Sequence, residues 1–225
     1  MSDKLKLLLV DDHQLIIEGI TSYLKDIDGL KITTTNSCDE AYRLIKSSLA
    51  IDPFHILFTD LSFDVGKKNV AIDGGESLIK ALQKDKVPIK IGVITGHSET
   101  NRVFNVVKNL KPLAYILKGQ CNTVELNFAI QKMMSDQVYY THDIHEKLMK
   151  RTLVEIHMDD VAIQILKELP NHTKISNLEG EITKPDGSLV KIRTIESKLA
   201  KLRTDFNANN NTDLVLKAKE LGVLD

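Results

Sequence analysis

A chain of 225 residues suits one large domain or two small ones. Hydrophobic residues make up 42% and charged residues 27%, an ordinary globular balance. The formal net charge of −1 excludes a polyanion-binding surface spread over the whole chain, so any nucleic-acid surface must be local. No apolar run approaches the ~20 residues of a membrane span, and "MSDKLKLLLVDDH" has only a short apolar stretch before its acids. Cys38 and Cys121 lie far apart without metal spacing. The expectation is a cytoplasmic protein with free thiols.

Strand-like apolar runs recur at Lys6–Val10, Leu30–Thr35, His55–Thr59, Ile89–Thr95 and Ala114–Leu117. Between and after them, apolar residues recur at spacings of three and four. Examples are Ile16, Gly19, Ile20 and Tyr23; Ala41, Leu44 and Ile45; Val103, Val106, Val107 and Leu110. Five strand–helix units predict an α/β fold, a doubly wound five-stranded parallel sheet over residues 1–136. Residues 137–157 carry charge and histidines without strand rhythm and read as a linker, partly helical. Residues 158–225 read as a small, mostly α-helical domain, with helical stretches at Asp159–Leu169, near Lys174–Leu178, at Thr194–Phe206 and at Asp213–Leu221. Within it, "KPDG" is turn chemistry flanked by strand-like residues and predicts a short hairpin near 181–192.

The strand ends carry the chemistry. In an open parallel sheet, ligands gather at the carboxyl ends of strands. The first strand ends in Asp11 and Asp12, the third in Asp60, the fourth in Thr95 and the fifth in Lys118. Adjacent carboxylates repel and need a counter-charge. Clustered on one rim, they call for a hard divalent cation, with Mg2+ the usual solution. A hydroxyl and an ammonium beside that metal suit phosphoryl oxygens, and Asp60 becomes a candidate carboxylate nucleophile. Singly, each residue has a plainer role. Asp11 and Asp12 could cap the first helix, Asp60 a loop; Thr95 is an ordinary strand residue and Lys118 an ordinary loop lysine.

Together, "VDDH", "FTDLS", "ITGH" and "YILKG" resemble the receiver domain of two-component response regulators, over about residues 4–136. The resemblance implies that Asp60 accepts a phosphoryl group from a sensor histidine kinase. It implies that Asp11, Asp12, Asp60 and the backbone carbonyl of Ser62 hold Mg2+, and that Thr95 and Lys118 bind phosphoryl oxygens. Tyr115 matches the family's switch aromatic, acting with Thr95; its plainer role is core. In that reading Ser62 and His97 flank the path of attacking water. Two departures are the long "LSFDVGKKNVAIDGG" loop, which lacks the family's proline, and Gly119 where the family often has proline. The chain is expected to modify itself rather than to turn over a substrate. A phosphohydrolase of the haloacid-dehalogenase kind also uses a nucleophilic aspartate, but its D-x-D acid is missing: Asp60 is followed by Leu61 and Ser62.

The second domain resembles the LuxR-like helix-turn-helix output of the NarL/FixJ type. "RTIESKLAKLRTDF" looks like the recognition helix and "TDLVLKAKELGVL" like the terminal helix, with the "KPDG" hairpin lengthening the connection between the two helices of the motif. Ile195, Leu199, Leu202 and Phe206 form one apolar stripe, and between Lys191 and Arg203 five basic residues face the single acid Glu196. A solvated charged face is the plain alternative. The resemblance implies transcription control by DNA binding, through Lys191, Arg193, Thr194, Ser197, Lys198, Lys201 and Arg203, by a homodimer formed on phosphorylation. A rival reading keeps the phosphoreceiver and gives the helical domain a protein–protein role.

Overall fold

The computed structural model describes residues 4–64, 71–156 and 158–224. It divides into two compact units, Met1–Ser98 with Asn105–His145, and Glu99–Phe104 with Glu146–Asp225.

In the first unit the strands are β1 (Leu5–Val10), β2 (Leu30–Thr35), β3 (Ile56–Thr59), β4 (Lys90–Thr95), β5 (Ala114–Leu117) and β6 (Tyr139–Tyr140). All pair in parallel, in the order β2-β1-β3-β4-β5-β6. Helices α1 (Gln14–Leu24), α2 (Cys38–Ser48), α3 (Gly75–Lys84), α4 (Thr100–Leu110) and α5 (Thr123–Met134) make the crossovers. Strand side chains alternate between faces. Leu7 and Leu9 pack with α1 and α5, together with Phe58, Ile94 and Ile116. Leu8, Val10 and Leu57 are equally buried. Burial on both faces is why β1, β3 and β4 read as apolar runs rather than alternating ones.

The sheet has six strands where the sequence predicts five. The added β6 lies in the segment read as a linker and pairs Ala114 with Tyr139 and Tyr115 with Tyr140. A two-residue strand is too short to show a period. The same segment carries α6 (His142–Ile156). Helix starts follow their capping residues. Ser37 accepts from the Glu40 amide at the head of α2, and Asn122 from the Val124 and Glu125 amides at the head of α5.

In the second unit, α7 (Asp160–Glu168), α8 (Ile192–Asp205) and α9 (Asn211–Glu220) surround a core of Ile165, Leu166, Leu178, Ile195, Leu199 and Leu214. Asp159 caps α7 and Asn210 caps α9. The stretch near Lys174–Leu178 is a 3-10 turn, Ile175–Leu178, rather than an α-helix. The "KPDG" turn closes a minimal hairpin with one antiparallel bridge, Thr183 to Leu189. No described helix is long and apolar enough to cross a membrane.

Candidate phosphoacceptor site and output helix

The sheet order reverses between β1 and β3, the place where doubly wound sheets bind ligands. Asp11 follows β1, and Asp60 follows β3 with its amide bonded to the Val10 carbonyl at 3.0 Å. Thr95 closes β4 and Lys118 follows β5. Parallel register therefore brings four separated residues to one rim.

Lys118 joins the carboxylates. Its Nζ lies 2.6 Å from Asp11 Oδ2 and 2.7 Å from Asp60 Oδ2. Both carboxylates are buried, with side chains 2% and 7% exposed, which makes an unneutralised charge there costly. Burial works against the Lys118 charge, but hydrogen bonds to Asp11 and Asp60 outweigh it and hold the ammonium pKa above its ordinary value. The Leu61 amide donates to Asp60 Oδ1 at 2.6 Å.

Asp12 is differently placed. Its Oδ2 accepts from the Asp64 amide at 2.7 Å, while its Oδ1 is shielded from solvent and accepts no hydrogen bond. His13 Nδ1 lies 2.8 Å from that Oδ1 but out of hydrogen-bond alignment. The Asp12 carboxylate, against the effect of burial and with help from Asp11, raises the His13 pKa. Donor atoms of Asp11, Asp12 and His13 fall within 4.8 Å of one another. Among the described residues Asp60 stands outside this group and is tied to it through Lys118. An orphaned carboxylate oxygen beside a second buried carboxylate is a donor set that suits a hard cation. The field of these acids reaches Cys38, whose thiol is pushed up to about 12, by burial first and then by Asp39, Asp12, Asp73 and Asp60.

Beyond the carboxylates, His97 connects three of the expected residues. Its amide donates to Thr95 Oγ1 at 3.4 Å, its carbonyl accepts from the Tyr115 hydroxyl at 2.9 Å, and its Nε2 lies 2.7 Å from Ser62 Oγ. Thr95 and Tyr115 are fully buried. Of the long loop after Asp60, residues 65–70 lie outside the described residues; the Ala71 and Ile72 amides beyond them donate to the Asp39 carboxylate.

One site residue escapes sequence reasoning. A Cβ on Gly75 would sit 1.7 Å from the Asp60 carbonyl oxygen and 2.9 Å from Thr59 Oγ1. The first turn of α3 thus rests directly on the backbone of Asp60. The only sequence signal is the pair Gly74–Gly75, which is equally good turn chemistry.

In the second unit, Ile195, Leu199 and Leu202 of α8 face the core, with Phe206 just beyond the helix. Arg193, Thr194, Ser197, Ala200, Lys201 and Thr204 are exposed, as is Lys191 at the cap; Lys198 and Arg203 are half-buried. Lys198 is bonded to the Asp159 carboxylate, which it holds below the usual carboxylate range, and Arg203 bonds Asn211. Glu179 caps α8, its Oε1 accepting from the Ile192 amide at 3.2 Å.

No protein-family model matches the chain. The response regulator UvrY of Escherichia coli (strain K12) is 29% identical over 145 residues, which are 64% of this chain and 61% of UvrY. The chain therefore aligns with less than two thirds of that relative's length. GacA of Pseudomonas aeruginosa is 23% identical over 228 residues and 98% of each chain. Its curated relatives are response regulators. Among solved structures, the RcsB response regulator of Salmonella typhimurium has a TM-score of 0.60 at 17% identity, covering 95% of this chain and 97% of that one. An RcsB–DNA complex has a TM-score of 0.57 at 17% identity, covering 96% and 98%. Identity this low speaks for the fold, and the fold is the expected one: a receiver-like α/β unit followed by a small helical, helix-turn-helix-like unit.

Proposed function

We propose that this chain is a two-component response regulator, with residues 1–136 as phosphoacceptor, 137–157 as connection and 158–225 as DNA-binding output. The observation that carries the reading is Lys118 bridging Asp11 and Asp60 at the switch point, beside the orphaned oxygen of Asp12. A phosphoryl group arriving as a phosphohistidine would be attacked by a carboxylate oxygen of Asp60. The O–P bond forms as the P–N bond breaks, and the imidazole leaves. Lys118 would neutralise the new phosphoryl oxygens, and the Thr95 hydroxyl would bond one of them. Asp11 and Asp12, with Asp60 and the Ser62 carbonyl, would hold Mg2+. When bound, that ion supplies charge neutralisation for the phosphoryl oxygens.

The route outward runs through His97. A phosphoryl oxygen drawing Thr95 inward changes the hydrogen bond to the His97 amide, and the His97 carbonyl holds the Tyr115 hydroxyl. Two arrangements differing by a few kcal/mol suffice to switch a surface. Ser62 and His97 set the water path to the acyl phosphate, so substitutions there change phosphoryl lifetime more than stability.

For the output, Arg193, Thr194, Ser197 and Lys201 share the exposed face of α8 and are the candidates for base edges. Lys191, Lys198 and Arg203 are candidates for phosphates. One solved RcsB structure holds two RcsB dimers bound to two parallel DNAs. A homodimer on two half-sites about one helical turn apart is the corresponding arrangement here. Random-sequence selection with the phosphorylated chain tests this: an enriched, two-fold symmetric site with salt-dependent affinity supports it. A protein–protein output is the second reading. It is favoured by the 3-10 turn in place of a full first helix, by Glu179 at the head of α8 and by the engagement of Lys198 with Asp159. Selection without enrichment, and no binding at low salt, would favour it.

A further inference from the structure

The hairpin of residues 182–190 is more firmly built than a surface loop requires. Gln164 of α7 holds its first arm by a pair of hydrogen bonds to Thr183: its amide donates to the Thr183 carbonyl at 3.0 Å and its carbonyl accepts from the Thr183 amide at 3.0 Å. Ile182 and Val190, one on each arm, are fully buried, and the Val190 amide bonds the Ile182 carbonyl. At the tip the Lys184 amide bonds the Ser188 carbonyl, Gly187 takes a φ of +81° that favours glycine, and Asp186 accepts from both the amide and the hydroxyl of Ser188. The return arm then runs through Lys191 straight into the first turn of α8.

That edge carries exposed charges of both signs. Lys184, Lys191 and Arg193 are exposed and, among the described residues, form no ion pair within 4.0 Å. The carboxylates of Glu179, Glu181 and Asp186 are exposed on the same edge; Asp186 and Glu179 accept N–H and O–H hydrogen bonds, which leave their charge in place. Three ladder steps separate Lys184 from the head of α8. At about 3.4 Å per residue that is ~10 Å, comparable to the ~12 Å width of a major groove.

We infer that this hairpin is a wing. With the exposed face of α8 in the major groove, it lays Lys184 against a DNA phosphate flanking that groove. The inference rests on the DNA-binding reading above and adds a second contact element to it. A rigid arm suits the task because the contact is then made without ordering a loop on binding.

The test is an anisotropy titration of the full, phosphorylated chain on a selected duplex across a salt series, with hydroxyl-radical footprinting. Lys184→Ala is expected to weaken every sequence by a similar factor, roughly ten-fold. It should lower the salt slope by about one for each subunit bound and remove protection outside the core site. Lys184→Glu should weaken binding further. Unchanged affinity, slope and footprint in both variants, with the wild type binding normally, would overturn the wing and leave the DNA-binding reading standing. No salt-dependent binding by the wild type would overturn both.

Discussion

Lys118→Met removes the ammonium and keeps most of its bulk. Its Nζ contacts Asp11 and Asp60 at 2.6 and 2.7 Å, and the side chain is 18% exposed. At an effective dielectric near 20, a charge pair about 4 Å apart interacts by roughly 4 kcal/mol. Two such pairs are offset in large part by the desolvation of three groups. Removing one partner of a buried pair typically costs about 3–5 kcal/mol, and partial exposure of Lys118 places the expectation near the lower end, about 3 kcal/mol. With a urea m-value of about 2–3 kcal/mol/M, the midpoint should fall by roughly 1 M. Urea unfolding followed by circular dichroism, without metal, reads it in the transition that the substitution moves. The folded pKa of Lys118 is raised, so its contribution is fully present below the unfolded value near 10.4 and is lost as pH rises through the higher folded value. The gap between wild type and variant should therefore stay level from pH 6 to about 9 and close above about 10.5. Millimolar Mg2+ should narrow it as well, since a cation on Asp11 and Asp12 relieves the same repulsion. A metal-free variant as stable as wild type at pH 7, or more so, would refute the claim that Lys118 neutralises this rim.

Gly75→Ala forces a Cβ to within 1.7 Å of the Asp60 carbonyl, a backbone atom, so α3 or Asp60 must shift. The expectation is a loss of about 1–3 kcal/mol together with slower phosphorylation, read by denaturation and by intact mass. Burial and neighbouring acids push the Cys38 thiol up to about 12, and burial and Glu125 push Cys121 up to about 11. At pH 8 the thiolate fraction of Cys38 is then about one part in ten thousand, so iodoacetamide should label Cys121 first and Cys38 only on unfolding. Asp159→Ala removes the cap of α7 and the partner of Lys198. It should cost about 1 kcal/mol while leaving Lys198 available to DNA, so melting and binding should move in opposite directions.

The sequence exposed the candidate rim because parallel strands buried on both faces read as apolar runs, and in such a sheet ligands gather at the carboxyl ends of the strands. Asp11, Asp60 and Lys118 needed nothing further to be placed together. Their mutual contact was less legible: the carboxylates suggest a metal, whereas the close contact in the structure is with Lys118. Gly75 was hidden because its role is steric and its neighbour lies a loop away. The strand β6 was missed for its length, and the 3-10 turn at Ile175–Leu178 because a four-residue apolar pattern cannot separate the two helix types. Amphipathicity placed α8 well, yet the partners of its charges, Asp159 for Lys198 and Glu179 for the helix head, come from elements distant in sequence.

The central claim is that Asp60 accepts a phosphoryl group, and intact-mass spectrometry tests it most directly. The full chain is incubated with Mg2+ and acetyl phosphate, beside Asp60→Asn, and each sample is then treated with hydroxylamine. The wild type should gain the mass of one phosphoryl group, lose it to hydroxylamine as an acyl phosphate does, and show neither change in the variant, whose amide is no nucleophile. Equal labelling of Asp60→Asn, or a wild type that stays unmodified with both Mg2+ and phosphodonor in excess, would contradict the account.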